Sequence, residues 1–534
     1  MKLKTAAIMV ASAAFAISCN EAGYLTDNLG VKVTPEENRE YSYTDKKAGY
    51  WYGTTHQEQT EWWSGWNMAK KRILADYTIG INDEALRRSE ALECIVYPDR
   101  VERDWADAHE TFGLLDGKPV LYIDLETAAD SIFCSLDMSH IETAEAMEGG
   151  VFFAPREAPG MKIMLAPAAD VPFRALPEGI KAPSDADGFI LTYGTEEECR
   201  ALAAGFRTDG ERMKKERKER INGLVTEYNP LKSNLPELDN SLAWITITMD
   251  ELITEQQGNG IYAGLPWFNE YWGRDMFISM PGACLVTGQF DVAKQILKDF
   301  VKLQDTDPES ETYGRIPNRA NLEGILYNTT DGTPRLVIQA YELAQYSGDT
   351  EFLHEIYPAI KMSIDASIRN YTDSKGYLTH ADADTWMDVK RNGIPGSPRG
   401  NRANDIQALW YGQLTAGSKI AAIMGDTGSA EEWSGLAQML AGNFESDYCD
   451  KEGSMIYDHL NADGTPDVQF RPNQVYCFDL INDAEFKQKV TRRVWEELVY
   501  PWGVASLAQW DPQFHPQHEN WHYYHKDDAY HNGT

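Results

Sequence analysis

The residues best equipped for chemistry lie together in His380-Ala381-Asp382-Ala383-Asp384-Thr385-Trp386-Met387-Asp388-Val389-Lys390, where Asp382, Asp384 and Asp388 surround a tryptophan. Glycoside hydrolysis needs one carboxyl group that stays protonated and delivers its proton to the glycosidic oxygen. An apolar wall such as Trp386 favours that state by desolvating the anion. Closely spaced aspartates also bind hard cations, but this run lacks the glycine at loop position 6 and the glutamate at position 12 of an EF-hand. A second segment, GLPWFNEYWGRD at 264–275, gathers Trp267, Phe268, Tyr271 and Trp272 around Arg274 and Asp275. Rings of this kind stack on a pyranose face while a guanidinium and a carboxylate fix neighbouring hydroxyls. A buried ion pair among packed aromatics explains the same spacing equally well. GRIPNR at 314–319 and YNTTD at 327–331 are polar, turn-like segments that on their own read as ordinary loops.

Other chemistries find less support. His515, His518, His522, His525 and His531 cluster near the C-terminus, yet no helical HExxH is present and Trp521, Tyr523 and Tyr524 interrupt the run. A polar, aromatic loop lining a sugar cleft fits them better than zinc. No GxSxG, P-loop or dinucleotide fingerprint occurs. Two carboxyl groups suffice for hydrolysis, so no metal or organic cofactor is expected.

Such residues need a scaffold, and the period of the sequence changes along the chain. Between Tyr24 and Phe206, short alternating runs such as 75–81, 119–125 and 160–166 predict a β-sandwich, with residues 20–206 as its domain. ERMKKERKERINGLV at 211–225 predicts a solvated linker helix within 207–234, its basic residues interleaved with acids. From Leu235 the period is helical. Val292, Ile296, Phe300 and Leu303 lie on one face, as do Trp433, Leu436, Leu440 and Phe444. Thr333-Pro334 reads as an N-cap followed by proline, and Gly348 as a C-terminal glycine. Turns at 287, 347 and 425 recur about once per helical hairpin, which points to a ring or a solenoid. Long loops at 257–281, 304–332, 372–401 and 501–534 favour a ring with a working face.

Composition sets the outer limits. The chain has 534 residues, 43% of them hydrophobic, and 49 Lys plus Arg stand against 83 Asp plus Glu for a net charge of −34. That acidity excludes nucleic acid as an expected partner. The 15 tryptophans and 27 tyrosines favour carbohydrate. Residues 1–19 carry Lys2 and Lys4 before an uncharged stretch from Ala6 to Ile17, the pattern of a secretory signal. Ala16-Ile17-Ser18-Cys19 resembles a bacterial lipobox, which implies lipidation at Cys19, and Asn20 implies sorting to the outer membrane. The mature protein is therefore expected to be exported and lipid-anchored, facing either the periplasm or the exterior. The remaining cysteines form no CxxC pair and are expected to be mostly buried free thiols.

The motifs PWFNEYWGRDMFISMPG (266–282), GRIPNR, YNTTD, TWMDVK (385–390), DIQALWY (405–411) and DDAYHNGT (527–534) together resemble those of the amylo-α-1,6-glucosidase, or glycogen-debranching, family. The resemblance implies a β-sandwich followed by an all-α (α/α)6 toroid over 235–534. It implies that Arg274 and Asp275 bind the terminal glucose and that Asp388 is the general acid. Trp267, Trp272 and Trp386 would line the sugar site, with Asn328, Asp331, Lys390, Asp405 and His531 as polar neighbours. The chain departs from the family in Asp405 and Gln407, where Glu and Asn are usual. It also stops where the family continues into further helices, so the toroid is expected to be incomplete by one or two hairpins. Glu519, flanked by aromatics, is assigned as the base in place of the family's later glutamate. The implied activity is inverting removal of α-1,6-linked glucose at branch points of glycogen-like α-glucans. An exo-acting α-glucosidase or trehalase-like hydrolase of the same fold, and a non-catalytic glucan-binding surface lipoprotein, are the alternatives.

Overall fold

A computed structural model describes residues 24–58, 61–228, 231–256, 258–321, 324–517 and 526–533. Cys19 and Glu519 lie outside the described residues. Strands from Val31 to Gly194 form β-sheets, and after Pro236 helices are the main elements.

A nine-stranded antiparallel sheet runs in the order Val31–Val33, Glu93–Val96, Arg100–Asp104, Ala108–Leu114, Val120–Thr127, Gly188–Gly194, Lys162–Pro167, Gly150–Pro155 and Ile141–Met147. One face shares a core with two smaller sheets, to which Trp51, Trp66 and Ile132 contribute against Phe112, Leu121 and Ile123. On the opposite face, Val120, Tyr122, Phe152 and Met164 pack against Cys199, Ala203 and Phe206 of a helix. Alternate residues of the strand Val120–Thr127 thus serve two cores, and its apolar residues run unbroken from Val120 to Ile123 where a half-exposed strand would alternate.

That helix, α1 (Glu196–Thr226), starts well before the expected linker boundary. Its start is fixed by a capping box: Thr195 Oγ1 accepts from the Glu198 backbone N–H, and the Glu198 carboxylate accepts from the Thr195 backbone N–H. The expectation of a solvated linker is also corrected. Arg217 is 1% exposed; it pairs with Asp116, meets Glu251 at 3.1 Å and donates to the Thr44 carbonyl at 2.9 Å. Arg220 holds Asp116 at 2.5 Å and Asp250 at 2.6 Å. Asp116 belongs to the β-rich region, whereas Asp250 and Glu251 end α2 (Pro236–Leu252). The basic face of α1 is a clasp between the two regions.

The helical region continues through α3 (Gly273–Met280), α4 (Phe290–Val301), α5 (Gly332–Ser347), α6 (Leu353–Tyr371), α7 (Asn404–Ile423), α8 (Thr427–Tyr448), the 3₁₀ segment Pro472–Leu480 and α9 (Ala484–Leu498). α3, α5, α7 and the 3₁₀ segment touch in series as an inner arc, while α4, α6 and α8 back them from outside. Ile296, Phe300, Trp433, Leu440 and Phe444 of the expected stripes are buried in this core. Gly348 ends α5 at φ +69°, in the left-handed region that glycine adopts without strain. Thr333 is not the N-cap. Asp331 occupies that position, and the Thr333 hydroxyl instead accepts from the Ile316 N–H at 2.9 Å.

The segments 257–281 and 304–332, expected to be loops, supply Asn259–Gly264, Phe268–Trp272, Arg319–Asn321 and Gly324–Leu326 to a five-stranded sheet that Ile253–Glu255 completes. Among the described residues no helix is long and apolar enough to cross a membrane. Cys94, Cys134, Cys199, Cys284 and Cys477 are buried and unbridged, and Cys449 is half-buried and also free.

Candidate active site

The small sheet delivers the first site residue. The strand Phe268–Trp272 pairs with Arg319–Asn321 and runs directly into α3, so that Arg274 falls in the helix's first turn. Gly273 makes the approach possible: a Cβ there would lie 2.4 Å from the Pro317 carbonyl oxygen, closer than any side chain tolerates. The guanidinium then organises its surroundings. Arg274 Nε pairs with Asp331 at the start of α5, Nη1 reaches Asp388 Oδ2 at 3.2 Å and Nη2 donates to the Thr385 carbonyl at 2.9 Å. Buried Thr385 and Met387 anchor the loop that carries Asp388, and the Thr330 N–H donates to the Asp384 carbonyl at 2.8 Å to join it to α5.

Arg274 opens on a cavity of about 760 Å³ that Arg335, Trp386, Asp405, Asn473 and Tyr530 also line, among others, and Asp331 and Asp388 adjoin it through their contacts with Arg274. A volume of that size accommodates several sugar rings. Trp386 forms one wall. Tyr530 stacks on it at 6.4 Å between centroids, and buried His531 meets it edge-on at 5.4 Å. Asp405 stands in the first turn of α7, where Arg399 Nη2 holds it at 2.8 Å.

Burial raises the Asp388 pKa; Arg274 opposes the shift and Asp331 reinforces it, leaving the carboxyl above its ordinary value. Asp384 is raised for the same first reason, against Arg315. Burial disfavours the Arg274 charge, yet Asp331 and Asp388 keep it firmly protonated. Two buried polar atoms, Asp331 Oδ1 and Arg335 Nε, have no partner among the described residues. An unsatisfied buried group costs about 1–3 kcal/mol, and of the two residues Arg335 lines the cavity, where a ligand hydroxyl would relieve that cost.

Arg274 pairs with Asp331 and Asp388 and not with Asp275, because adjacent helix residues point in different directions and do not face each other. Asp275 is exposed in the same turn and stays within electrostatic reach of Arg274, Asp331 and Asp388. Other expected site residues are absent from the cavity lining. Trp267 is also exposed and lies against Trp63 of the β-rich region, away from the cavity lining. Trp272 packs beside Phe268 and under the Arg319 guanidinium. Asn328 accepts from Asn318 at 3.3 Å, which steadies its loop, and Lys390 is exposed in a short hairpin.

Asp458, His459 and Asp467 have ligand atoms close enough together to hold a metal ion. The Arg399 guanidinium already takes Asp458 at 2.5 Å, however, and a cation next to it would be repelled.

The sequence profile of amylo-alpha-1,6-glucosidases matches residues 239–534, more than half of the chain. The chain belongs to the amylo-alpha-1,6-glucosidase family. Its fold is similar to that of a bacterial glucoamylase solved as a complex with acarbose, at 12% identity and a TM-score of 0.54, over 90% of this chain and 76% of that one. It is also similar to the GH78 family rhamnosidase of Bacillus sp. GL1, at 16% identity and a TM-score of 0.40, over 49% and 26%. No curated protein matches the chain in sequence. The family makes the protein a glycoside hydrolase, and the glucoamylase likeness spans both its β-rich and its helical region.

For this amylo-alpha-1,6-glucosidase family member, sequence reasoning missed Arg335 and Tyr530. A signal for Arg335 was available: a cation in the first turn of a helix opposes the helix dipole and needs a reason to be there. Asp331 and Asp405, which face it electrostatically, supply that reason.

Proposed function

We propose that the protein removes α-1,6-linked glucose from branch points of glycogen-like α-glucans by single displacement, with Asp388 as the general acid. The observation that carries this reading is the Asp388 carboxyl, raised by burial and held by Arg274 next to a cavity that Arg274 and Trp386 line. Arg274 Nη1 occupies Oδ2, so Oδ1 is the oxygen that carries the proton to the glycosidic oxygen. Asp331 Oδ1 and Arg335 Nε take up sugar hydroxyls and position the ring. An inverting enzyme also needs a carboxylate about 6.5–9.5 Å from the acid to activate water on the opposite face. Glu519 is assigned that role from the sequence, and Glu519→Gln tests it. The alternating inner and outer helices are, in this reading, the (α/α)6 toroid of the family. The acarbose complex of the glucoamylase neighbour supports an α-glucan as the substrate class.

Glucose release from a branched limit dextrin, compared with maltose and trehalose, tests the linkage. Faster release from maltose or trehalose would transfer the site to an exo-acting α-glucosidase or a trehalase-like enzyme. Retention on starch without glucose from any of the three would leave a glucan-binding lipoprotein. Export and lipidation at Cys19 complete the proposal and rest on Lys2, Lys4 and the residues around Cys19; the mass of the mature N-terminal peptide tests them.

A further inference from the structure

Trp267, displaced from the cavity, is part of a second aromatic arrangement built by both regions of the protein. Trp62 and Trp63 come from the hairpin connection between the strands Gly49–Thr54 and Gly65–Met68. Their rings lie 5.1 Å apart edge to face, and Trp63 meets Trp267 in the same manner at 5.3 Å. Trp62 is 68% exposed and Trp267 53% exposed, with Phe268 beside them at 50%. Three indoles in an edge-to-face chain, the outer two open to water, are costly on a soluble surface unless something covers them.

The arrangement is braced from beneath. Asn67, itself buried, donates to the Trp63 carbonyl at 3.0 Å. Tyr50 Oη donates to the Pro266 carbonyl at 3.0 Å, and buried Asn269 donates to Tyr50 Oη and to the Ala69 carbonyl, each at 3.0 Å. Lys70 pairs with Glu270 across the same junction. Backbone fixed in this way at Trp63 and Pro266 leaves less to be ordered when a ligand lies on the rings.

Position supplies the occupant. The strand Phe268–Trp272 starts at this platform and ends at Gly273 and Arg274, so five extended residues, roughly 17 Å, connect the indoles to the cavity. That distance is several pyranose rings long. Indole faces stack on the apolar faces of pyranoses, and Glu61, exposed next to Trp62, offers a carboxylate to their hydroxyls. We propose that Trp62, Trp63 and Trp267 form an outer subsite on which an α-glucan chain rests while its end occupies the cavity. This inference rests on the α-glucan reading of the cavity and adds that the β-rich region contributes to substrate binding.

Calorimetric titration of the full chain in an Asp388→Asn background, with maltoheptaose and with maltose, tests it without turnover. Substitution of Trp62→Ala together with Trp267→Ala is expected to weaken maltoheptaose binding about tenfold and to leave maltose within about twofold. Trp62→Phe, which keeps a ring, is expected to retain most of the long-chain affinity. Unchanged maltoheptaose affinity in the double variant overturns the subsite, and so does an equal loss for both sugars, which marks a general structural defect. Tryptophan-dependent maltoheptaose binding by a chain that releases glucose from no glucan would leave the subsite standing and remove the hydrolytic function.

Discussion

Two of the guanidinium and carboxylate clusters among the described residues, one at the junction between the β-rich and helical regions and one beside the cavity, differ in how burial and charge balance. At the junction, Arg217, Arg220 and Lys46 face Asp116, Asp250 and Glu251. Burial alone would raise Asp116 and Asp250, but their cationic partners bring both below the usual carboxylate range. Beside the cavity, Arg274 is shared by Asp331 and Asp388, and Asp388 rises. At the junction the cationic partners outweigh burial and make a fastening, whereas at Asp388 burial outweighs Arg274 and the group keeps its proton to higher pH. The same residue types therefore serve opposite ends, and the balance of burial against cationic partners decides which.

The largest effect that separates the clusters is expected from Asp388→Asn, which should lower kcat on a branched dextrin about a thousandfold while the melting midpoint barely moves. Arg217→Ala should do the reverse. Removing one member of a buried ion network costs about 3–5 kcal/mol, read as a lower denaturation midpoint in urea, with kcat per folded molecule retained at low temperature. Comparable loss of kcat in Arg217→Ala would show that the junction is coupled to the chemistry and would break the division. Arg335→Ala should raise KM about tenfold with a smaller change in kcat, because it removes a hydroxyl partner and leaves the acid in place.

The smallest effects are expected in pH profiles. Stability contributed by Asp116 and Asp250 is fully present above the unfolded carboxylate value of ~3.9 and is lost as pH falls through their lower folded values. His380, lowered by burial to about 4, binds its proton more readily when unfolded, so its contribution is present above ~6.5 and declines as pH falls toward 4. His380→Gln should flatten the melting curve series between those values, a change of only about 2 °C. Activity should instead decline as pH rises through the elevated Asp388 value, on the opposite side of the profile.

Local signals carried much of this architecture. The strands at 77–81, 120–127 and 162–167, the buried stripe of α8 and the glycine end of α5 follow from periodicity and φ preference, which neighbouring residues determine. The start of α1 was equally local, since Thr195 and Glu198 are a capping box in the sequence itself, and only the boundary chosen at 206 obscured it. The small sheet was harder to see, because its strands are short, rich in glycine and aromatics, and paired across the α4 segment. The pairing of Arg274 was beyond local reasoning: Asp331 and Asp388 come from elements 57 and 114 positions away. Helix geometry turns Asp275 away from the neighbouring guanidinium, so only the folded chain shows which carboxylates Arg274 holds.

The unbridged cysteines lend the two regions separate clocks. Burial pushes Cys94 and Cys199 of the β-rich region up to about 11, and Cys284 of the helical region to about 12, so none reacts as a thiolate while its surroundings stay closed. An alkylating reagent therefore records openings and not surfaces. The order in which Cys94 and Cys284 acquire label reports which side of the clasp releases first, and Arg217→Ala should bring the two rates apart or together according to how much of the molecule's cooperativity passes through α1.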